Sequence, residues 1–204
     1  MFARLSVTEG TANREAIVNQ LATQVVPAVE NHPGFRGLMA SHDAANNLLY
    51  VLTNWESEAD VQSSEALADS ARQQAVSSLR AAVKEVTVWE QVDGIVRATP
   101  PAGAKLLVTR ASMDPATLDA NIGFFRDEML PGITSAPGFC ALRHLVQRSA
   151  GTSMIGTVWT DQSALEGALK MAGEGLQVGR ARGIDFEAPA VRDVVYVSVP
   201  PTVM

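Results

Sequence analysis

The stretch that opens with Pro33-Gly34-Phe35 and closes with Thr53-Asn54-Trp55 returns, 104 residues further on, as Pro137-Gly138-Phe139 through Thr157-Val158-Trp159. No gap is needed between the two. The same offset carries Pro27 onto Pro131 and Leu38 onto Leu142. Upstream, Val18, Leu21, Val25 and Val29 fall onto Ile122, Phe125, Met129 and Ile133, and spacings of 3, 4 and 4 keep each set on one helix face. Phe125 and Met129 are therefore expected in the core. The chain reads as a duplication.

Each copy reads as β-α-β-β-α-β. In the first, residues 2–8 form a strand and residues 13–30 a helix. Residues 35–42 and 48–55 form a hairpin around the Asx-rich loop 43–47, and a capped helix starts at Ser57. Residues 84–92 close the unit. In the second copy residues 105–111 open, Asp114-Pro115 starts a helix, residues 139–147 and 153–159 pair, and residues 192–199 close. Leu165, Leu169, Ala172 and Leu176 mark the second helix, which Gly173, Gly175 and Gly179 are expected to weaken or break. The pattern predicts an α+β fold of two ferredoxin-like units, residues 1–97 and 105–204, with 98–104 as linker. Helices on one sheet face leave the other apolar face in water. The two sheets are therefore expected to pack on each other as an intramolecular pseudo-dimer, with a homodimer of whole chains also open.

Composition excludes several classes. The 204 residues are 47% hydrophobic and 19% charged, far from a disordered chain. A net charge of −6, with basic residues scattered singly, argues against a nucleic-acid surface. The lone Cys140 permits no intrachain disulfide and no cysteine-based zinc site, and is expected to be a small buried hydrophobe. Neither a signal peptide nor a membrane span is legible, so a cytoplasmic protein is expected.

Strand, long helix, Pro-Gly-Phe, hairpin and a strand ending Trp55-Glu56-Ser57 resemble the antibiotic-biosynthesis-monooxygenase-like families of the dimeric α+β barrel superfamily. The second copy carries Ala136-Pro137-Gly138-Phe139 and Trp159-Thr160-Asp161 in the same places. The resemblance implies two such domains in tandem. It also implies a choice among oxygenases that use no metal or flavin, haem-degrading enzymes, and proteins without a known role. The haem-degrading branch uses an Asn on the first strand and a Trp and a His on the second helix. Residues 2–8 and 105–111 hold no Asn, and residues 57–83 and 161–179 hold neither Trp nor His. Haem degradation is disfavoured.

No nucleophile elbow, P-loop, zinc-helix motif or dinucleotide fingerprint is present. Neither metal, flavin nor any other cofactor is expected. His32 reads as a turn residue and His42 as a hairpin-end residue. His144 lies mid-strand, so strand alternation sends it either to the helix core or to a cavity between the sheets, with Arg143 on the opposite face. It is the candidate proton acceptor. Trp55 and Trp159 are candidate walls for a flat ligand, and Arg143 or Arg110 candidate stabilisers of a phenolate. The bland readings are packing tryptophans and rim arginines, Arg4 included. Two functions stay open: a cofactor-independent monooxygenase acting on a small aromatic or polyketide-like molecule held between the sheets, or a non-catalytic small-molecule-binding or scaffold protein. An enclosed pocket of about 300 Å³ or more with His144 on its wall would favour the enzyme.

Overall fold

A computed structural model describes residues 1–10 and 13–198. The chain divides into two compact units: one from Met1–Glu90 with the residues from Asp193 onward, the other Gln91–Arg192. The expected division ran along the linear halves with a linker at 98–104. Residues 98–104 do lack helix and strand, but the second unit begins earlier, inside a strand.

The first unit holds β1 (Phe2–Glu9), α1 (Arg14–Gln20), α2 (Val26–Val29), β2 (Phe35–Asp43), β3 (Leu48–Trp55), α3 (Glu58–Ser63), α4 (Glu65–Leu79) and the first part of β4 (Ala82–Val96). Strand β1 pairs with β3 and β4, and β2 pairs with β3, all antiparallel. The second unit holds the rest of β4, β5 (Lys105–Ser112), α5 (Leu118–Phe124), α6 (Leu130–Ser135), β6 (Phe139–Gln147), β7 (Thr152–Trp159), α7 (Gln162–Ala181), β8 (Asp185–Phe186) and the start of β9 (Ala190–Ser198). From Asp193 onward, β9 belongs to the first unit and pairs with β2. Because β4 and β9 are each shared, the hydrogen-bonded order runs β7-β6-β4-β1-β3-β2-β9-β5, and β5 pairs back onto β7. The result is an eight-stranded antiparallel barrel of the α+β class with flanking helices, the fold expected of paired ferredoxin-like repeats.

The repeated motif has a steric cause. Gly34 and Gly138 sit at φ +79° and +77°, a left-handed turn that glycine adopts without strain. Each also lies against the first turn of the following helix: a Cβ on Gly34 would strike the Asp60 carboxyl, and one on Gly138 would strike Ala164. The Gly34 and Gly138 carbonyls accept from Glu56 N and Thr160 N, which ties each turn to the end of its β-hairpin. Ser57 and Asp161 then cap the helices that follow.

The other repeated feature is a π turn. Leu21–Val25 joins α1 to α2, and Phe125–Met129 joins α5 to α6. Pro27 and Pro131 lie just beyond. Each lacks an N–H and crowds the carbonyl four residues back, that of Thr23 or Asp127, so the ladder there widens rather than closing in α geometry. The long helix of each copy is thus continuous in direction but distorted at its middle.

In the first unit the helices bury Ile17, Leu21, Val26 and Val29 against Phe35, Leu38 and Trp55. In the second, Phe125, Leu165 and Ala168 pack on Leu107, Phe139, Leu142 and Trp159, with Met129 partly buried beside them, as the spacing led us to expect. One expectation fails: α7 runs unbroken through all three glycines. Gly175 and Gly179 sit where a Cβ would lie 2.4 Å from Met129 Cε and 2.6 Å from the Phe186 ring. Close packing compensates for their poor helix propensity.

Candidate functional site

The second unit holds a partly open cavity of about 120 Å³ between its sheet and its two long helices. The sequence reading placed the ligand space between sheets; the cavity that His144 lines lies on the helix side. Three strands lie beneath it in cross-strand rows, whose members other than Leu142 and Val146 line the cavity. Leu107, Thr157 and Leu142 form one row; Thr109, Ile155 and His144 the next; Ala111, Ser153 and Val146 the third. Phe125 and Met129 from the π turn, Asn121 and Ile122 before it, and Leu176, Gly175 and Gly179 from α7 close the other side. Most of this lining is apolar.

His144 is the one titratable side chain among the lining residues, beside the hydroxyls of Ser153, Thr109 and Thr157. Its side chain is 3% exposed, with Nδ1 3.1 Å from Asp93 Oδ2 and Nε2 3.0 Å from Ser153 Oγ. An ionised carboxylate only accepts, so Nδ1 carries the proton, and Nε2 is left to accept from the Ser153 hydroxyl. Asp93 is itself fixed by Arg126 Nε at 2.6 Å, and Arg126 also donates to the Val92 carbonyl at 2.7 Å. Phe125 meets the imidazole edge to face at a centroid distance of 4.9 Å. Burial pushes the imidazole below its usual 6.5; Asp93 opposes that shift, and Arg126 adds to it. The ring is therefore neutral at pH 7. It is a proton acceptor whose conjugate acid has a carboxylate waiting behind it.

Asn121, buried on the cavity's lining, is paired outside it. Asn121 Oδ1 accepts from Arg182 Nε at 3.2 Å, and the Arg182 guanidinium lies 4.3 Å over the Phe124 ring.

Other candidates from the sequence divide sharply. Trp159 lines the cavity, while its indole N–H donates to Thr157 Oγ1 at 2.9 Å. Trp55 makes the matching bond to Thr53 at 3.0 Å and packs in the first unit against Phe35 and His32. Arg143 points away from the cavity: Nη1 donates to the carbonyls of Leu142 and Ile95, and burial lowers its pKa. Arg110 alternates with Thr109 and Ala111, both of which face the cavity, so it too lies on the opposite face. Neither arginine meets a ligand held in this cavity. Arg4, read as a rim residue, is buried instead, 2% exposed. Cys140 is buried as expected, and burial raises its thiol pKa.

Asp93 and Ser153 were missed by sequence reasoning. The closing strand was ended at residue 92, one short of Asp93, whereas β4 continues to Val96. Ser153 was legible in principle. Once His144 faces Ile155, strand alternation puts Ser153 on the same face, one diagonal step away.

Among the described residues no three His, Cys, Asp or Glu side chains gather as a metal-binding set. No helix among them is long and apolar enough to cross a membrane.

Residues 1–76 match the antibiotic biosynthesis monooxygenase family. No curated protein matches the chain. Among solved structures, a candidate monooxygenase from Lactobacillus acidophilus superposes with a TM-score of 0.67 at 10% identity, over 98% of this chain and 97% of that one. A candidate monooxygenase from Fusobacterium nucleatum gives 0.72 at 8% identity, over 97% and 94%. An anthrone oxidase-like protein gives 0.64 at 13% identity, over 98% and 93%. The first 76 residues are thus similar to that family, and the chain as a whole has the ferredoxin-like, barrel-forming fold shared with these monooxygenase-like structures.

Proposed function

We propose that the chain is a tandem monooxygenase-like protein whose second unit oxygenates a small electron-rich hydroxyarene without a cofactor. One observation carries this reading: His144, held between Asp93 and Ser153, lies on the wall of a mostly apolar, helix-covered cavity. A hydroxyarene O–H donates to Ser153 Oγ, whose own proton passes to His144 Nε2, and Asp93 balances the imidazolium that forms. The resulting anion is the reductant. Its ring carbon adds to dioxygen as a hydroperoxide, and loss of water leaves one oxygen on carbon as a quinone-type carbonyl. The apolar lining supplies a dry site in which the charge shift is not dissipated by water.

Size narrows the substrate. A cavity of about 150 Å³ holds benzene, so about 120 Å³ admits nothing larger than a single ring and excludes an extended polyketide-like molecule. The cavity does not reach the roughly 300 Å³ set above as the mark of the enzyme, so this reading rests on the setting of His144 and not on the size of the cavity. Haem does not fit. Both nitrogens of His144 are engaged, so neither is free to ligate iron, and the space is too small for a macrocycle.

The test is dioxygen uptake with single-ring dihydroxybenzenes, comparing wild type with His144→Ala and Ser153→Ala. We expect one dioxygen consumed per quinone and a rate lowered about 100-fold or more in His144→Ala. Saturable binding without uptake in the wild type would instead assign the cavity to a non-catalytic binding protein.

A further inference from the structure

The first unit has a cavity in the same place, and its chemistry is different. Cross-strand registers set Arg4, Thr53 and Leu38 where the second unit has Leu107, Thr157 and Leu142. On the second helix, Arg72 stands 104 residues before Leu176, the offset of the whole duplication. Both arginines wall a cavity of about 60 Å³. Where one repeat places two leucines, the other places two guanidiniums.

A guanidinium taken out of water needs compensating partners. Arg4, 2% exposed, donates through Nη1 to Ser64 Oγ at 3.2 Å and through Nη2 to the Val61 carbonyl, and Nη2 lies 2.7 Å from Glu65 Oε2. Its buried Nε has no acceptor among the described residues. Arg72 lies 3.0 Å from the other oxygen of Glu65 and 2.9 Å from Asp69, and donates to Ser6 Oγ at 3.3 Å. Glu65 is 51% exposed, so a single solvent-facing carboxylate is shared by both guanidiniums. Burial, with Arg72 adding to it, depresses the Arg4 pKa against the pull of Glu65. The interior of this unit is short of negative charge, and one strong donor is idle.

We propose that the first-unit cavity binds a small aliphatic monocarboxylate, its oxygens accepting from Arg4 Nε and Arg72 and its chain lying against Leu21, Val25 and Val76. This proposal is independent of the reading given to the second unit. Guanidinium N–H groups are suited to carboxylate oxygens, and the apolar walls favour an acid with a short hydrocarbon tail. About 60 Å³ equals about two waters' share of liquid volume, which limits the ligand to the smallest acids, of about two carbons. Inorganic phosphate, with more charge to neutralise and no tail, fits this lining poorly.

Calorimetric titration of the full chain with acetate, propionate and butyrate tests this, with chloride and inorganic phosphate as controls. The Trp55 indole N–H resonance serves as a second readout, since the Arg4 guanidinium lies 5.7 Å over that ring. We expect one-to-one saturable binding of acetate that shifts the Trp55 signal and weakens through propionate to butyrate as the chain outgrows the cavity. Affinity should fall at least tenfold in Arg72→Leu, which installs the second unit's residue, and in Arg4→Lys, which keeps the charge but removes Nε. Circular dichroism of Arg72→Leu, expected to match wild type, separates loss of binding from loss of structure. Absence of saturable binding, binding untouched by Arg72→Leu, or equal binding of phosphate would each overturn the proposal and leave a structural ion network.

Discussion

His144 acquires its chemistry from neighbours that its local sequence does not contain. Strand register brings Ser153 to one ring nitrogen, and the far end of β4 brings Asp93 to the other. Burial keeps the ring neutral, and that has a consequence for stability. In the unfolded chain it protonates near pH 6.5; in the native state it does so only at lower pH, because its pKa is depressed. Below about 6.5 the unfolded state therefore binds more protons, and stability is lost as pH falls through the lowered native value. This contribution is fully present above pH 6.5. Thermal unfolding followed from pH 7 to pH 5 should show a steeper decline in wild type than in His144→Gln, which cannot titrate. Parallel slopes would mean that the imidazole is not buried neutral. At this scale His144 itself was legible, because mid-strand placement and alternation allow only two directions. Ser153 could have been read from the same alternation, but Asp93 could not, because strand ends are set by pairing across the sheet rather than by local preference.

At the scale of elements, α7 shows tertiary packing overriding propensity. Gly173, Gly175 and Gly179 each cost helix stability, yet the helix is continuous. The reasons differ by position. Gly173 faces open space, whereas Gly179 lies against the Phe186 ring and Gly175 against the flexible end of Met129. Gly173→Ala should raise stability by about 0.5–1 kcal/mol through helix propensity alone. Gly179→Ala should lower it by about 1–3 kcal/mol, since an added methyl forces the ring and the helix apart. Chemical denaturation of the two variants measures both, and a stabilising Gly179→Ala would contradict the close contact. The π turns belong to the same scale. The matching positions of Pro27 and Pro131 were visible in the sequence, but the wide turn beside each was not, because it depends on how the helix accommodates the missing N–H. In the second unit that turn delivers Phe125 and Met129 to the cavity.

For the whole molecule, duplication was the most legible feature and the division between units the least. Pro-Gly-Phe, Thr-x-Trp and the helix pattern recur in register because each serves the same turn, bond and face in both copies. Composition pointed to residues 98–104 as the junction, but two long strands are shared, and the compact units exchange their ends. A cut at that linker should therefore damage both parts. Fragment 1–97 loses the β9 residues that pair with β2, leaving an open edge prone to self-association. Fragment 105–204 loses Asp93 and leaves His144 without its carboxylate. Sedimentation and circular dichroism of the two fragments should show aggregation or loss of structure, and two stable monomeric fragments would contradict the shared-strand division.

Divergence between the copies locates the proposed chemistry. His144 and Ser153 occupy rows where the first unit has Ala40 and Leu49, so a proton relay of this kind belongs to the second unit. The most direct measurement is the absorption spectrum of a chromogenic single-ring phenol bound to the full chain, at a pH where the free phenol is un-ionised. With wild type we expect the phenolate band to grow to a one-to-one endpoint as protein is added. With His144→Ala the phenol should still bind in the apolar cavity but show no phenolate band. A bound phenol that stays protonated in wild type, or one that ionises equally in the variant, would contradict the assignment of His144 as proton acceptor.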